Sequence, residues 1–153
     1  MYLGSDHGGF SLKEKLKVWL LENNIVFEDM GANFFDANDD YPDFIIPVAQ
    51  KVTSVPTGLG IIIGRSGNGE AICANKVKGI RAAVCLNEEM AKKAKGHNNA
   101  NILSLGADYI SDTEAKRIVK TFINTNFSNE EKHIRRINKI NQLENTKIKT
   151  CLK

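Results

Sequence analysis

The chain has 153 residues, 42% of them hydrophobic and 25% charged, the balance of an ordinary soluble domain long enough to bury a core. No apolar run approaches the ~20 residues needed to cross a bilayer, and a net charge of +3 is too small to point to nucleic acid. Three cysteines, Cys73, Cys85 and Cys151, form no zinc spacing, and Cys73 and Cys85 lie in apolar sequence that reads as buried thiols.

Tyr2-Leu3 closes a short strand and enters the loop Gly4-Ser-Asp-His-Gly-Gly9. Ser11-Leu-Lys-Glu14 has the form of a capping box, after which Leu12, Leu16, Trp19 and Leu20 make one helical stripe. Ile25-Val-Phe27 reads as a second strand. The Asn- and Asp-rich stretch from Gly31 to Asp43 reads as loop, with Pro42 suited to a first helical turn. A helix is expected from Asp43 to about Val52, kinked or shortened at Pro47. Leu59 to Ile63 is strand three, followed by a glycine loop and a helix to about Val77. Arg81-Ala-Ala-Val-Cys85 is strand four, Asn87 caps a helix that stops near Gly96, and Ile102-Leu-Ser-Leu105 is strand five. Ser111 or Asp112 caps a helix to Ile123, and a last helix runs from Asn129 to about Leu143. This alternation predicts an α/β fold, three-layered and Rossmann-like, with a five-stranded parallel sheet and a C-terminal helix. Residues 1–144 are expected to form one domain and 145–153 a tail without assigned role. With no basic-then-apolar leader, the cytoplasm is the expected compartment.

The segment Ile61-Ile-Ile-Gly-Arg-Ser-Gly-Asn-Gly-Glu70 carries the densest chemistry. Its glycines let backbone N–H groups approach a ligand, and a helix start follows, where anions are favoured. Gly64-x4-Gly69 has P-loop spacing, but Glu70-Ala71 stands where that loop needs Lys-Ser/Thr, so a triphosphate lacks its lysine. Gly67-Asn-Gly69 is followed by Ile72, so the dinucleotide fingerprint fails at its third glycine. On the residues alone, Glu70 is either a base beside an oxyanion nest or simply a first-turn acid. From Glu130 onward, seven Lys/Arg face three Glu; this basic helix is either a solvated face or a source of cations for a small anion, without the aromatic interleaving of an RNA surface. In a doubly wound fold, ligands lie beyond the carboxyl ends of the strands, which gathers the loops after strands one, three and five. Gly96-His-Asn-Asn-Ala-Asn101 precedes strand five, so His97 lies at the opposite edge of its own subunit.

The chain resembles the ribose-5-phosphate isomerase B family, which includes the galactose-6-phosphate isomerase subunits. The residues that carry the resemblance are Gly4-Ser-Asp-His-Gly-Gly-Phe10, Asp40-Tyr-Pro42, Gly64-Arg-Ser-Gly-Asn-Gly-Glu70 with Ala74-Asn-Lys76, Gly79-Ile-Arg81, Gly96-His-Asn-Asn-Ala-Asn101 and Lys132-His-Ile-Arg-Arg136. They run in family order over about residues 1 to 140. The resemblance implies interconversion of an aldose phosphate and its ketose phosphate through an enediolate, without cofactor or metal. It also implies a homodimer with active sites shared between subunits, a tetramer being the larger assembly left open, and no nucleic-acid or membrane partner.

The family places its base either on a cysteine at the position of Gly64 or on a glutamate at that of Glu70; this chain resembles the glutamate version. Ser66, Gly67, Asn68 and Gly69 are then expected at the enediolate, and His97 with Asp6 at ring opening. Asp6 has the plain alternative of capping its own loop. His7, Tyr41 and Asn98 match sugar- or phosphate-contacting positions, and Lys132, His133 and Arg136 match a cationic phosphate cluster. Two departures stand out: Asp108 replaces an arginine common after strand five, and Arg65 replaces a glycine, so Arg65 is expected to supply the missing cation. A six-carbon substrate such as galactose 6-phosphate or allose 6-phosphate is the alternative within enzymes, and a non-catalytic phosphosugar-binding module the alternative outside them.

Overall fold

A computed structural model describes residues 1–145; Cys151 and nearly all of the predicted tail lie outside them. Five parallel strands, β1 (Tyr2–Ser5), β2 (Glu28–Asp29), β3 (Gly60–Gly64), β4 (Ala82–Val84) and β5 (Ile102–Gly106), form one sheet in the order β2-β1-β3-β5-β4. Helices α1 (Phe10–Glu22), α2 (Pro42–Ser54), α3 (Asn68–Ala74), α4 (Glu88–Asn98) and α5 (Asp112–Asn124) connect them, and α6 (Glu131–Asn145) follows. The predicted α/β class, strand number and C-terminal helix hold.

Alternation along β3 shows why the sheet is covered on both faces. Ile61 and Ile63 pack with Leu12, Leu16 and Leu20 of α1 and with Ile118, Val119 and Phe122 of α5. Ile62 packs the other way, against Ile45, Val48 and Val52 of α2 and Ala74 of α3. A central parallel strand buried on both sides reads as an unbroken apolar run. Because β2 lies on one side of β1 and β3 on the other, the topological switch point falls between the carboxyl ends of β1 and β3.

Three local expectations need correction. Strand two pairs only at Glu28–Asp29, not at Ile25–Phe27. In the register Tyr2↔Glu28 the ladder runs over Glu28–Asp29, while the Val26 carbonyl accepts from the Met1 ammonium at 3.4 Å. Ser11 is not an N-cap: α1 starts at Phe10, because the Asp6 carboxylate accepts the Gly9 N–H at 3.1 Å and starts the turn earlier. Pro47 does not shorten α2, which continues to Ser54. Elsewhere the caps agree, with Asn87 accepting from the Met90 N–H and Ser111, rather than Asp112, completing a capping box with Glu114.

Lys13, inside the Ser11–Glu14 segment, is fully buried. Its ammonium meets both Asp29 oxygens at 2.8 and 2.9 Å and donates to the Ala32 carbonyl; Lys17 adds a second ion pair to Asp29 at 2.6 Å. The cluster ties α1 to the start of the loop that leads to Asp39 and Tyr41. Burial raises the Asp29 pKa, but the two ammonium groups outweigh it and hold the carboxyl below its usual range. A lowered carboxyl pKa contributes stability in full above the ordinary ~3.9, and this is lost as pH falls through the lowered value. Asp29→Asn leaves buried Lys13 with only the partly exposed Glu14 carboxylate, 3.4 Å away, as counter-charge, and breaking a buried pair typically costs about 3–5 kcal/mol. Urea unfolding at neutral pH is expected to show a loss of that order; a loss below ~1 kcal/mol would refute the role given to the cluster.

Candidate active site

Two loops meet at the switch point. After β1, Gly9 passes so close to β3 that a Cβ on it would fall on the Ile63 carbonyl, so only glycine lets the loop cross there. Asp6 is buried. One of its oxygens accepts from Gly9, so the capping role holds, and the other lies 3.9 Å from His7 Nδ1.

After β3, Gly67 takes φ +76° at the N-cap of α3, held by the Ser104 hydroxyl donating to its carbonyl at 2.6 Å. The Asn68 N–H donates to Ser66 Oγ at 3.2 Å, which leaves the Ser66 hydroxyl hydrogen for another acceptor. Glu70 is only 5% exposed. Its carboxyl lies over Gly64, where a Cβ on residue 64 would fall directly on it. A side chain at 64 and the carboxyl of 70 therefore compete for one volume, a physical reason for a base at one position or the other. Burial raises the Glu70 pKa and the Asp6 charge adds to it, against a smaller lowering by the Glu70 N–H.

Tyr41 precedes Pro42 at the start of α2 and reaches the same cleft, its ring within 3.1 Å of where a Gly69 Cβ would stand. Arg65 lies across Gly8, its Cγ 2.7 Å from a Cβ built there, and its exposed guanidinium stands 3.9 Å from the Asp108 carboxylate. The chain thus gathers Asp6, His7, Tyr41, Arg65, Ser66, Gly67, Asn68, Gly69 and Glu70 in one cleft. Cys73 is half-buried, its thiol pKa raised by burial and by Glu70, so it stays protonated. Cys85 is buried and pushed up to about 12 by burial.

The other expected residues lie at the opposite edge. His97 is in the last turn of α4, just before β5, whose first residue Ile102 pairs with Gly60 at the start of β3. The length of β3, Gly60–Gly64, about 13 Å, therefore separates the start of β5 from the Gly64 end. There His97 stacks flat on His133, ring centroids 4.6 Å apart and planes within 10°. His133 is buried, with a pKa lowered by burial and by His97, so it is neutral at pH 7 rather than a cation on the helix face. Lys132 pairs with Glu130 at 2.7 Å, Arg136 is exposed, and the Asn98 carbonyl accepts from Arg81.

One residue of the cleft was not legible in the sequence. Asp39, inside the Asn/Asp-rich loop, accepts from both the His7 N–H at 3.0 Å and His7 Nδ1 at 2.6 Å. Asp6, His7 and Asp39 bring ligand-type atoms within 4.8 Å of one another, but the short hydrogen bond already joins two of them. Only the paired acids Asp39-Asp40 before Tyr41-Pro42 hinted at more than a turn.

Fold and cleft together define a doubly wound α/β protein with a buried carboxylate in a glycine nest at its switch point. The chain belongs to the Ribose/Galactose Isomerase family, whose model matches residues 1–140. It is 42% identical over 146 residues to ribose-5-phosphate isomerase B of Mycolicibacterium paratuberculosis, covering 95% of this chain and 92% of that one. Among solved structures it is similar to ribose-5-phosphate isomerase B from Mycoplasma genitalium with bound ribulose-5-phosphate, at 41% identity and TM-score 0.91, covering 95% and 96% of the two chains. The Thermotoga maritima enzyme structure is similar at 43% identity and TM-score 0.87, over 92% and 96%. Among the described residues, no helix is long and apolar enough to cross a membrane.

Proposed function

We propose that this chain interconverts ribose 5-phosphate and ribulose 5-phosphate through an enediolate, with Glu70 as the base. The observation that carries this is the buried Glu70 carboxyl over Gly64, in a chain about 40% identical to ribose-5-phosphate isomerases along almost its whole length. Glu70 takes the proton from C2 while the C1 carbonyl oxygen gains charge. The Ser66 hydroxyl and the N–H groups of Gly67 to Gly69 hold that oxygen, the C2 hydroxyl passes its proton to O1 as C2 becomes the carbonyl, and Glu70 returns its proton at C1. Burial that disfavours the ionised carboxylate also makes it a stronger base.

The split of the site supports a homodimer, each unit being the domain of residues 1–144. Asp6 of one subunit and His97 of the partner subunit then handle ring opening, while Lys132 and Arg136 bring cations from the partner's last helix. An exposed apolar face suits the contact: Ile72, Ile140 and Leu143 are exposed and flank the half-buried edge strand β4. Asn75 bonds both the N–H and the carbonyl of Ala82, which plugs the strand edge against sheet-to-sheet pairing, so the copies meet through side chains.

The test is turnover of ribose 5-phosphate beside allose 6-phosphate and galactose 6-phosphate. Conversion of the pentose in clear preference is expected; preference for a hexose would refute the substrate, and turnover of none the activity.

Arg65 is proposed as the cation that replaces the one missing at position 108, with Asp108 drawing on its charge. Exposed pairs of this kind are worth about 0.2–1 kcal/mol. Asp108→Asn is therefore expected to lower KM for ribose 5-phosphate up to about five-fold with kcat unchanged, and Arg65→Gly to raise it. An unchanged KM in both variants would place Arg65 in solvent.

A further inference from the structure

We propose that Asp39 is a positioning residue for His7: it holds the backbone and Nδ1 of His7 together, leaving Nε2 for the phosphate end of the substrate. This rests on the isomerase reading, because the substrate is that reaction's.

The geometry is specific. One oxygen, Asp39 Oδ1, accepts from the His7 N–H at 3.0 Å and from Nδ1 at 2.6 Å, so main chain and ring are fixed by the same atom. With Nδ1–H committed to Asp39, Nε2 is the ring nitrogen that remains for a ligand. Phe35 closes the far side, its ring edge-on to His7 at 6.4 Å.

The other Asp39 oxygen argues against a merely structural role. Oδ2 is buried and has no hydrogen-bond partner among the described residues, on a side chain that is 9% exposed. Burying an unpaired carboxylate oxygen costs stability, and an asparagine would anchor the loop equally well. What asparagine cannot supply is the charge.

That charge acts on His7. The hydrogen bond to Asp39 is the largest cause raising the imidazole pKa, with the charges of Asp6 and Asp39 adding to it, while burial and Arg65 oppose it. Those are the charged groups facing the ring: Asp6 on its own loop, Asp39 from the loop before α2, and Arg65 from the loop after β3. A raised pKa means that His7 is cationic below that value and loses its charge as pH rises through it. His7 and Arg65 stand on one side of the cleft, so protonated His7 puts two positive charges there.

The experiment compares wild type with Asp39→Asn, which keeps the acceptor oxygen and removes the charge. In the free protein, NMR titration of the three histidines, with His7→Gln to assign the signal, is expected to place His7 above the ordinary ~6.5. In Asp39→Asn its midpoint should fall by one pH unit or more. At a pH midway between the two measured midpoints the variant's KM for ribose 5-phosphate should rise at least three-fold with kcat within two-fold, and the difference should narrow at a pH below both. An unchanged His7 midpoint would overturn the coupling. A lowered midpoint with an unchanged KM at the pH midway between the two midpoints would overturn the role in holding substrate. Because the titration needs no substrate, failure of the coupling is distinguishable from failure of the isomerase reading.

Discussion

Glu70→Gln is expected to lower kcat for ribose 5-phosphate by about 10²–10⁴-fold, the range typical of a positioned general base, and to leave the fold intact. The change is nearly isosteric, and it replaces a carboxyl whose burial already disfavours its charge, so stability should hold or rise slightly. The pH profile carries a second signature. A base must be ionised to act, so wild-type kcat/KM falls as pH drops through the raised Glu70 pKa, above the ~4.3 of an ordinary glutamate. Asp6→Asn removes one cause of that elevation and should move the acid limb to lower pH; under the proposed mechanism it should also slow ring opening. A folded Glu70→Gln protein with wild-type kcat would remove Glu70 from the mechanism.

Gly64→Ala should damage catalysis nearly as much without touching the catalytic side chain. The added methyl would fall on the Glu70 carboxyl. The carboxyl is the end of a flexible side chain and gives way, so the chain still folds. The carboxylate then sits an ångström or more from its productive place, a misplacement that can cost ~10²-fold. Thermal melting of Gly64→Ala should stay close to wild type while kcat falls about a hundredfold with little change in KM. Wild-type kcat would show that the carboxylate does not act from above Gly64.

Most of the sheet was legible because β3, β4 and β5 are short apolar runs bounded by glycine or polar residues, and α1, α2 and α5 each carry a buried apolar period. The errors lie where pairing, not propensity, decides. Ile25-Val-Phe27 has a β-branched and aromatic composition suited to a strand, but the ladder exists only where β1 stands beside it, at Glu28–Asp29. Ser11 and Glu14 have capping-box spacing, but a carboxylate five residues before Ser11 started the helix first.

The site was legible in halves. Gly64 to Glu70 declares itself through glycines beside a carboxylate, and the switch-point rule brings Asp6 and His7 to it. Asp39 stayed hidden because an Asn/Asp-rich loop reads as turn chemistry, and its bonds to His7 span 32 positions of sequence. Lys13 was hidden for the opposite reason, since a lysine between helix positions reads as solvated until its counter-ion is seen. His133 counted as a cation by residue type, whereas burial against His97 keeps its ring neutral.

The central claim is that a carboxylate carries the proton between C2 and C1, and the most direct test follows deuterium placed at C2 of ribose 5-phosphate. A proton held on Glu70 has the chance to exchange with water before it returns, whereas a hydride passing straight from C2 to C1 has none. The expected result is ribulose 5-phosphate that has lost part of its label to water, with Glu70→Gln slowing both label loss and turnover together. Full retention of the label at C1 by wild type and Glu70→Gln alike, at similar rates, would contradict it.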